Sequence, residues 1–198
     1  MIGWFEGRGS SDVRNFGKWK GGERGAAAVE LAVILPTLLI MVFGVVDLGR
    51  LIHARLIVTN VSREGGSLVS RDFSSGTDLL SMLQSSGAPL DLNGSGKIYV
   101  SRIRAGTSTS DPYVEQLANG GTLVGVSSRI GGTEPFGLSE ALYDHLKFDV
   151  ANNASDIQEV WVVEVYYRYL PITPLPNFIK DFLMADGGGM IIGSKSVF

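Results

Sequence analysis

The sequence predicts an α+β protein in which one long N-terminal helix, over about residues 26–64, precedes a small domain with a short antiparallel sheet. Three observations predict this class. A run of twenty-one residues is almost wholly apolar, and apolar residues then recur at helical spacing. A later segment, "EVWVVEVYYRYL", alternates as a strand does. The 198 residues suffice for one globular domain and an anchor.

The apolar run extends from Ala26 to Val46, and only Glu30, Pro36 and Thr37 in it are neither apolar nor glycine. As a helix with a rise of about 1.5 Å per residue, it would span roughly 30 Å, the hydrocarbon thickness of a bilayer. A buried core helix and a secretory signal peptide are the alternatives. The run is longer than either requires, and no Ala-x-Ala cleavage site follows it. We therefore expect a transmembrane helix over 26–46.

Charge is divided unevenly between the start of the chain and the rest. Residues 1–25 carry five basic and three acidic side chains, whereas 26–198 carry twelve basic and seventeen acidic ones. The excess of Lys and Arg before the apolar run predicts an N-terminus in the cytoplasm and an exported remainder. The net charge of −3 gives no reason to expect nucleic acid as a partner. The absence of cysteine excludes disulfides and thiolate metal sites.

Glu30 is the unusual residue of the apolar run. An acidic side chain at the centre of a bilayer costs about 2.5–3.5 kcal/mol on insertion scales, and this cost calls for a partner. Glu30 lies near the cytoplasmic end of the run, where the cost is smaller. If the chain is cut between Gly25 and Ala26, the new α-amine of Ala26 lies one turn from Glu30. In an assembly of such helices, the carboxylate could pair with a neighbour's amine and favour one axial register.

The string "RGAAAVELAVILPTLLIMVFGVVDLGRLIHARLIVTNVSREGG" resembles the TadE-like proteins of tight-adherence (Tad) pilus systems, within the type IV pilin superfamily. The combination of Gly-Ala-Ala-Ala-Val-Glu, Leu-Pro, Gly-Val-Val-Asp-Leu-Gly-Arg and Ser-Arg-Glu-Gly carries the resemblance. It implies a basic leader at 1–25 that a prepilin peptidase removes after Gly25, with Glu30 as the fifth mature residue. It also implies a minor pseudopilin that assembles or primes a Tad/Flp-type pilus for adhesion.

The resemblance also implies partners and a location. The partners would be the prepilin peptidase, TadF-like pseudopilins, a Flp-like pilin and inner-membrane lipid. The protein would cross the inner membrane once, with its N-terminus cytoplasmic and its C-terminal domain periplasmic, and would become extracellular if the pilus incorporates it.

Three further residues of the apolar run invite interpretation. Pro36 removes a backbone donor, so it is either a functional kink or simply a tolerated one. Ala28 and Ala32 lie four residues apart, and small side chains at that spacing allow close contact between helices.

The helix is expected to continue beyond the membrane over 47–66. Leu48, Ile52 and Leu56 recur at four-residue steps, and Gly65-Gly66 predicts its end. Asp47 and Arg50, three residues apart, would form a weak surface pair.

The sequence of residues 67–198 predicts a periplasmic α+β domain of about three strands. The patterns predict short helices at 78–84, 112–117 and 139–146, and strands at 97–104, 122–129 and 159–170. Strand 159–170 is expected to be half-buried, with a mixed outer face that includes Glu164. An edge strand is expected at 190–197 and an amphipathic patch at 178–184.

No enzymatic pattern is found in the sequence. His53 and His145 have no ligand-like spacing, so neither a metal nor a cofactor is expected. Two alternatives to the pseudopilin hypothesis remain at this point. One is an uncleaved single-pass anchor that presents a periplasmic binding domain. The other is the main fibre subunit, which the length of residues 26–198 disfavours because the resemblance implies very short major pilins.

Overall fold

The computed structural model describes residues 21–71, 76–172 and 189–198, with side chains from residue 25 onward. The predicted patch at 178–184 and the first twenty residues of the predicted leader therefore lie outside the described residues. The elements in chain order are helices and strands with these bounds: α1 (Gly21–Val69), α2 (Gly76–Ser86), β1 (Gly96–Arg104), β2 (Tyr113–Gly120), α3 (Glu140–Asp144), β3 (Glu159–Tyr169) and β4 (Met190–Val197). This arrangement confirms the predicted α+β class.

Helix α1 contributes residues to two compact units, one ending at Met41 and the other covering Val42–Phe198. In the first unit, every side chain from Gly25 to Met41 is exposed. The most apolar stretch of α1 has a mean hydropathy of 2.5, and none of it is buried. By length and composition, this helix is able to cross a membrane.

In the second unit, α1 packs against the sheet. Ala54, Val58 and Val61 lie one turn apart on its buried face and contact the core. The hydroxyl of Ser62 donates to the carbonyl of Val163 at 3.2 Å, which ties the helix to β3. The C-terminal half of α1 is therefore a structural part of the domain.

The sequence predicted that helix α1 ends at Gly65-Gly66, but the helix continues to Val69. A Cβ placed on Gly65 would lie 2.9 Å from Cγ1 of Val163 and 3.0 Å from Cδ1 of Leu83. Gly66 lies directly beneath the ring of Phe198. The glycines thus allow close packing of the helix, and their low helix propensity is offset by those contacts.

The sheet has four antiparallel strands in the order β2-β1-β3-β4, against the three or so predicted. Strand β1 pairs with β3 in an unbroken register that includes Val100 opposite Val163. Its pairing with β2 shifts between Val100 and Ser101, where β2 has one extra residue, Leu117, and forms a bulge.

Strand β3 is buried on both faces, so the prediction of a half-buried strand was wrong. On one face, Val163 and Val165 pack into the cluster formed with α1 and α2. On the other face, Val160 and Val162 pack against Leu138 and other residues of the segment between β2 and β3. We call residues 122–157, which cover this second face, the covering layer.

Two short predictions between β1 and β3 were also wrong. The sequence predicted a helix at 112–117, but strand β2 begins there, at Tyr113. The sequence also predicted a strand at 122–129, but these residues have no regular structure. Strand β2 is an edge strand whose side chains are mostly exposed, so it lacks an alternating apolar pattern. Leu123 is apolar because it packs against Tyr99 and Tyr166.

The remaining element predictions were confirmed. Helix α2 covers the predicted 78–84 with a few more residues at each end, and strands β1, β3 and β4 lie where the sequence placed them. Helix α3 has Ser139 as its N-cap, and the hydroxyl of that residue accepts the N–H of Leu142 at 3.4 Å.

Candidate functional site

The predicted cleavage junction, Gly25-Ala26, lies in the first turns of α1. A Cβ at Gly25 would have no neighbour within 4 Å, and Ala26 is exposed. The helix begins at Gly21 and contains Gly22 and Gly25 in this stretch. Each glycine weakens a helix by about 1 kcal/mol relative to alanine. The glycines before Ala26 therefore lower the helix propensity of this stretch.

Glu30 lies on the same exposed stretch of helix as the junction. It lies four positions after Ala26, which corresponds to about 6 Å along the helix axis. None of the ion pairs among the described residues includes Glu30. The pairing of Glu30 with a neighbour's amine stays a prediction, because the partner group would belong to another chain.

Ala28 and Ala32 are exposed on α1, and Pro36 lies inside this helix, which continues on both sides of it. A proline at this position cannot donate to the carbonyl of Ala32, four residues earlier. Ala32 thus combines a small side chain with a freed backbone acceptor. Whether Pro36 bends the helix for a functional reason stays a prediction.

From the end of the apolar run onward, one face of α1 exposes a row of large apolar side chains. Val45, Leu48, Ile52 and Leu56 are 70, 55, 53 and 57% exposed, and their spacing of three and four residues places them along one stripe. We call these four residues the apolar stripe. Such a stripe on a water-exposed helix is typical of a surface that another apolar element covers.

Asp47, the first residue after the apolar run, is buried although the sequence predicted a surface position for it. Its backbone carbonyl accepts the hydroxyl of Tyr169 at 3.0 Å, and its carboxylate accepts the N–H of Ile172 at 3.3 Å. Burial and the Asp47 carboxylate raise the pKa of Tyr169. Asp47 therefore connects the helix to the end of β3. A single acid directly after a long apolar run is the sequence signal for such a role.

Glu164 is a second buried carboxylate. The sequence predicted it on the outer face of strand 159–170, but its side chain is 1% exposed. It accepts the N–H of Arg129 at 3.0 Å, the hydroxyl of Tyr166 at 3.0 Å and the hydroxyl of Ser128. Burial, followed by the charge of Glu164, raises the pKa of Tyr166 to about 12. The bonds from Ser128 and Arg129 attach the covering layer to β3. An acid among consecutive β-branched residues was the available signal.

The two histidines lie at different places in the domain. Nδ1 of His145 lies 2.8 Å from Oδ2 of Asp156 in an exposed pair, and His53 lies beside a cleft between α1 and the end of β3. Within the part of the chain that the structure describes, no three acidic or histidine side chains are placed to hold a metal ion.

Comparison with known proteins identifies one family. The family model described as TadE-like protein matches residues 25–67, which lie entirely within α1. No curated protein and no solved structure matches the chain. The match begins at the predicted junction residue Gly25 and includes Glu30, Pro36 and the apolar stripe. Over these residues the resemblance seen in the sequence is confirmed, and this stretch of α1 is similar to TadE-like proteins.

Proposed function

We propose that this chain is a minor pseudopilin of a Tad/Flp-type pilus, cleaved by a prepilin peptidase after Gly25 and acting in pilus assembly or priming for adhesion. The observation that carries the proposal is the TadE-like match over 25–67, with Glu30 five residues after Gly25 on an exposed apolar helix. The match over 25–67 supports association with a Tad pilus, and the specific role in the pilus is our proposal. TadE-like proteins are structural and are not known as enzymes.

The proposed location follows from the same helix. One apolar helix and the TadE-like match fit a membrane-anchored, single-pass protein. We propose further that the anchor crosses the inner membrane with the leader in the cytoplasm and the domain in the periplasm. The excess of Lys and Arg in residues 1–25 supports this orientation.

The proposed assembly role has support on α1 at two levels. In the membrane, Ala28 and Ala32 would allow a neighbouring helix to approach closely, and the freed carbonyl of Ala32 would offer it an acceptor. From the end of the membrane span outward, the apolar stripe would be covered by the helix of a partner. Proposed partners are a Flp-like pilin, a TadF-like pseudopilin and, during maturation, the prepilin peptidase. The alternative of an uncleaved anchor with a binding domain is not favoured by the match.

Glu30 supplies the test of this proposal. Glu30→Gln keeps the size of the side chain and removes the charge that would pair with a partner's N-terminal amine. Cells that express the chain with the peptidase and the partner pilins are solubilised in mild detergent, and the partners that co-purify with the mature chain are quantified. We expect Glu30→Gln to lose most of the co-purified pilin.

Two further variants make the outcome specific. Glu30→Asp keeps the carboxylate and should restore part of the co-purification, whereas Glu140→Gln, an exposed acid of α3, should behave as the wild type. If Glu30→Gln retains its partners at the wild-type level, the pairing role is wrong. If the wild type co-purifies with no pilin, the assembly role itself is wrong.

A further inference from the structure

Among the described residues, a cleft in the second unit is lined by three basic side chains and by no Asp or Glu. It has a volume of about 350 Å³ and lies between α1, the loop that joins α2 to β1, and the end of β3. Arg50, His53 and Arg168 line it, and none of its described lining residues is Asp or Glu. Sites for small molecules typically have volumes of roughly 300–1,000 Å³. The size and charge therefore suit an anionic group.

The cleft lies at the level where the apolar run ends. Two of its lining residues, Tyr169 and Ile172, bind Asp47, the residue that directly follows Val46. Arg50 lies three residues farther along α1, which corresponds to about 4.5 Å along the helix axis. The headgroup region of a bilayer extends roughly 5–8 Å beyond the hydrocarbon on each side. With 26–46 in the hydrocarbon, the cleft would lie among the headgroups.

The rim of the cleft has the apolar character expected at this level. Leu170 and Ile172 line it and are 55 and 65% exposed. These side chains would remain in water if nothing covered them. Against a bilayer, Leu170 and Ile172 would contact the glycerol and upper acyl region of a lipid. The basic side chains of the cleft would contact its phosphate.

The two arginines retain donors for a ligand. Nη2 of Arg168 donates to the carbonyl of Val124 at 3.3 Å, and the guanidinium of Arg50 lies beside the hydroxyl of Tyr169. Because a guanidinium carries five N–H donors, each arginine has others to offer. None of the ion pairs among the described residues involves either arginine. Planar guanidinium groups bind phosphate oxygens in a bidentate manner.

We propose that this cleft binds the phosphate of an anionic phospholipid headgroup, in the leaflet that α1 leaves after Val46. Arg50 and Arg168 would hold the phosphate, His53 would add a donor, and Leu170 and Ile172 would contact the start of the acyl chains. The proposal rests on residues 26–46 lying in a membrane and is independent of cleavage after Gly25.

Lipid retention by the full chain tests the proposal. The chain is reconstituted in nanodiscs of phosphatidylglycerol and phosphatidylcholine in equal parts, and the lipids that stay bound after release are counted by native mass spectrometry. The wild type should retain phosphatidylglycerol in preference to phosphatidylcholine. Arg50→Gln and Arg168→Gln should each reduce this retention about tenfold, as expected for the loss of a charge-assisted hydrogen bond.

Arg55→Gln is the matched control, since Arg55 is an exposed arginine of the same helix that does not line the cleft. It should retain lipid as the wild type does. Arg50 is itself exposed, so Arg50→Gln is expected to fold even if Arg168→Gln does not. Equal retention by Arg50→Gln and the wild type would overturn the proposal, as would equal retention of the two lipids by the wild type.

A separate arm of the experiment distinguishes a lipid headgroup from inorganic phosphate as the ligand of the cleft. Excess inorganic phosphate is added to the nanodiscs before the protein is released. If the headgroup is the ligand, the retained phosphatidylglycerol should persist, because its acyl chains hold it at the site. If inorganic phosphate displaces the lipid and binds with the same dependence on Arg50, the site is one for a soluble anion and the lipid proposal is wrong.

Discussion

Glu164 is the residue around which the covering layer of the domain is attached. Its carboxylate is buried on β3 and accepts bonds from Ser128, Arg129 and Tyr166. The sequence placed Glu164 on one face of a strand correctly. The hydrophobic periodicity did not indicate its burial, because the covering layer has little regular structure and no periodic pattern to show which face of β3 it covers.

Tyr166 provides a pH-dependent prediction at the scale of one residue. Its pKa is raised to about 12 by burial and by Glu164, so the folded state holds the phenol proton more tightly than the unfolded state does. The stability from this group is complete below pH of about 10 and is lost as the pH rises toward about 12. Tyr166→Phe should lower stability by about 1 kcal/mol at neutral pH and should lose less of it on alkaline titration.

The measurement is the unfolding free energy of the detergent-solubilised chain, by circular dichroism, at several pH values above neutrality. Tyr113→Phe is the matched control because Tyr113 is 49% exposed, and its profile should follow the wild type. Tyr143, whose pKa burial also raises to about 12, stays in place in both variants. Parallel alkaline losses in Tyr166→Phe and the wild type would contradict the account.

Gly25 and Glu30 could be proposed as site residues from the sequence alone because their signal is local: a glycine, a short spacing and an acid within an apolar run. The structure places both on an exposed helix. The basic cleft could not be found in that way. Arg50 and Arg168 are more than one hundred residues apart, and only the pairing of α1 with the end of β3 brings them to the same cleft.

At the scale of elements, α1 is the clearest case in which tertiary packing overrides local propensity. Two consecutive glycines normally end a helix, and the sequence predicted an end there. In the structure, Gly65 faces Val163 and Leu83, both of which are fully buried. The helix continues because the absence of a side chain lets it lie close to β3 and α2, and burial of the surrounding apolar groups offsets the weak propensity.

Gly65→Ala should therefore destabilise the domain. The added methyl group would meet Val163 and Leu83 at about 3 Å, and neither neighbour can move within a packed core. Overpacking of this kind typically costs about 1–3 kcal/mol. Thermal or denaturant unfolding of the full chain in detergent measures the loss.

Gly49→Ala is the control for this prediction. A Cβ at Gly49 would meet nothing within 4 Å on the same helix, so alanine there should stabilise α1 by up to about 1 kcal/mol through its helix propensity. If both substitutions stabilise the chain, Gly65 is not a packing residue, and the continuation of α1 needs another cause.

Among the strands, those with a clear apolar pattern were predicted and the one without it was not. Strands β1 and β3 were predicted because β-branched and aromatic residues dominate them. Strand β2 was missed because it lies at the edge of the sheet with mostly exposed side chains and has no apolar alternation. Residues 122–129 resembled a strand because Leu123 and Val126 are apolar, but these residues pack in a cluster beside Tyr99 and Tyr166 and pair with no strand.

At the scale of the whole molecule, the sequence assigns different tasks to different stretches. Residues 25–67 carry the TadE-like match, the exposed apolar helix and the proposed junction. The domain from Val42 onward supplies a packed sheet that holds the second half of α1 and forms the basic cleft. In our account, processing at Gly25 creates the amine that pairs with Glu30 of a neighbour, and the apolar stripe extends the contact outside the membrane.

The N-terminus of the mature chain tests this account most directly. The chain is expressed with its prepilin peptidase, purified from membranes and analysed by mass spectrometry of the intact protein and of its N-terminal peptide. We expect Ala26 as the first residue. Gly25→Ala should keep Met1, whereas Gly22→Ala, a leader glycine three residues earlier, should be processed like the wild type. Finding Met1 on the wild type and on both variants would contradict the central claim.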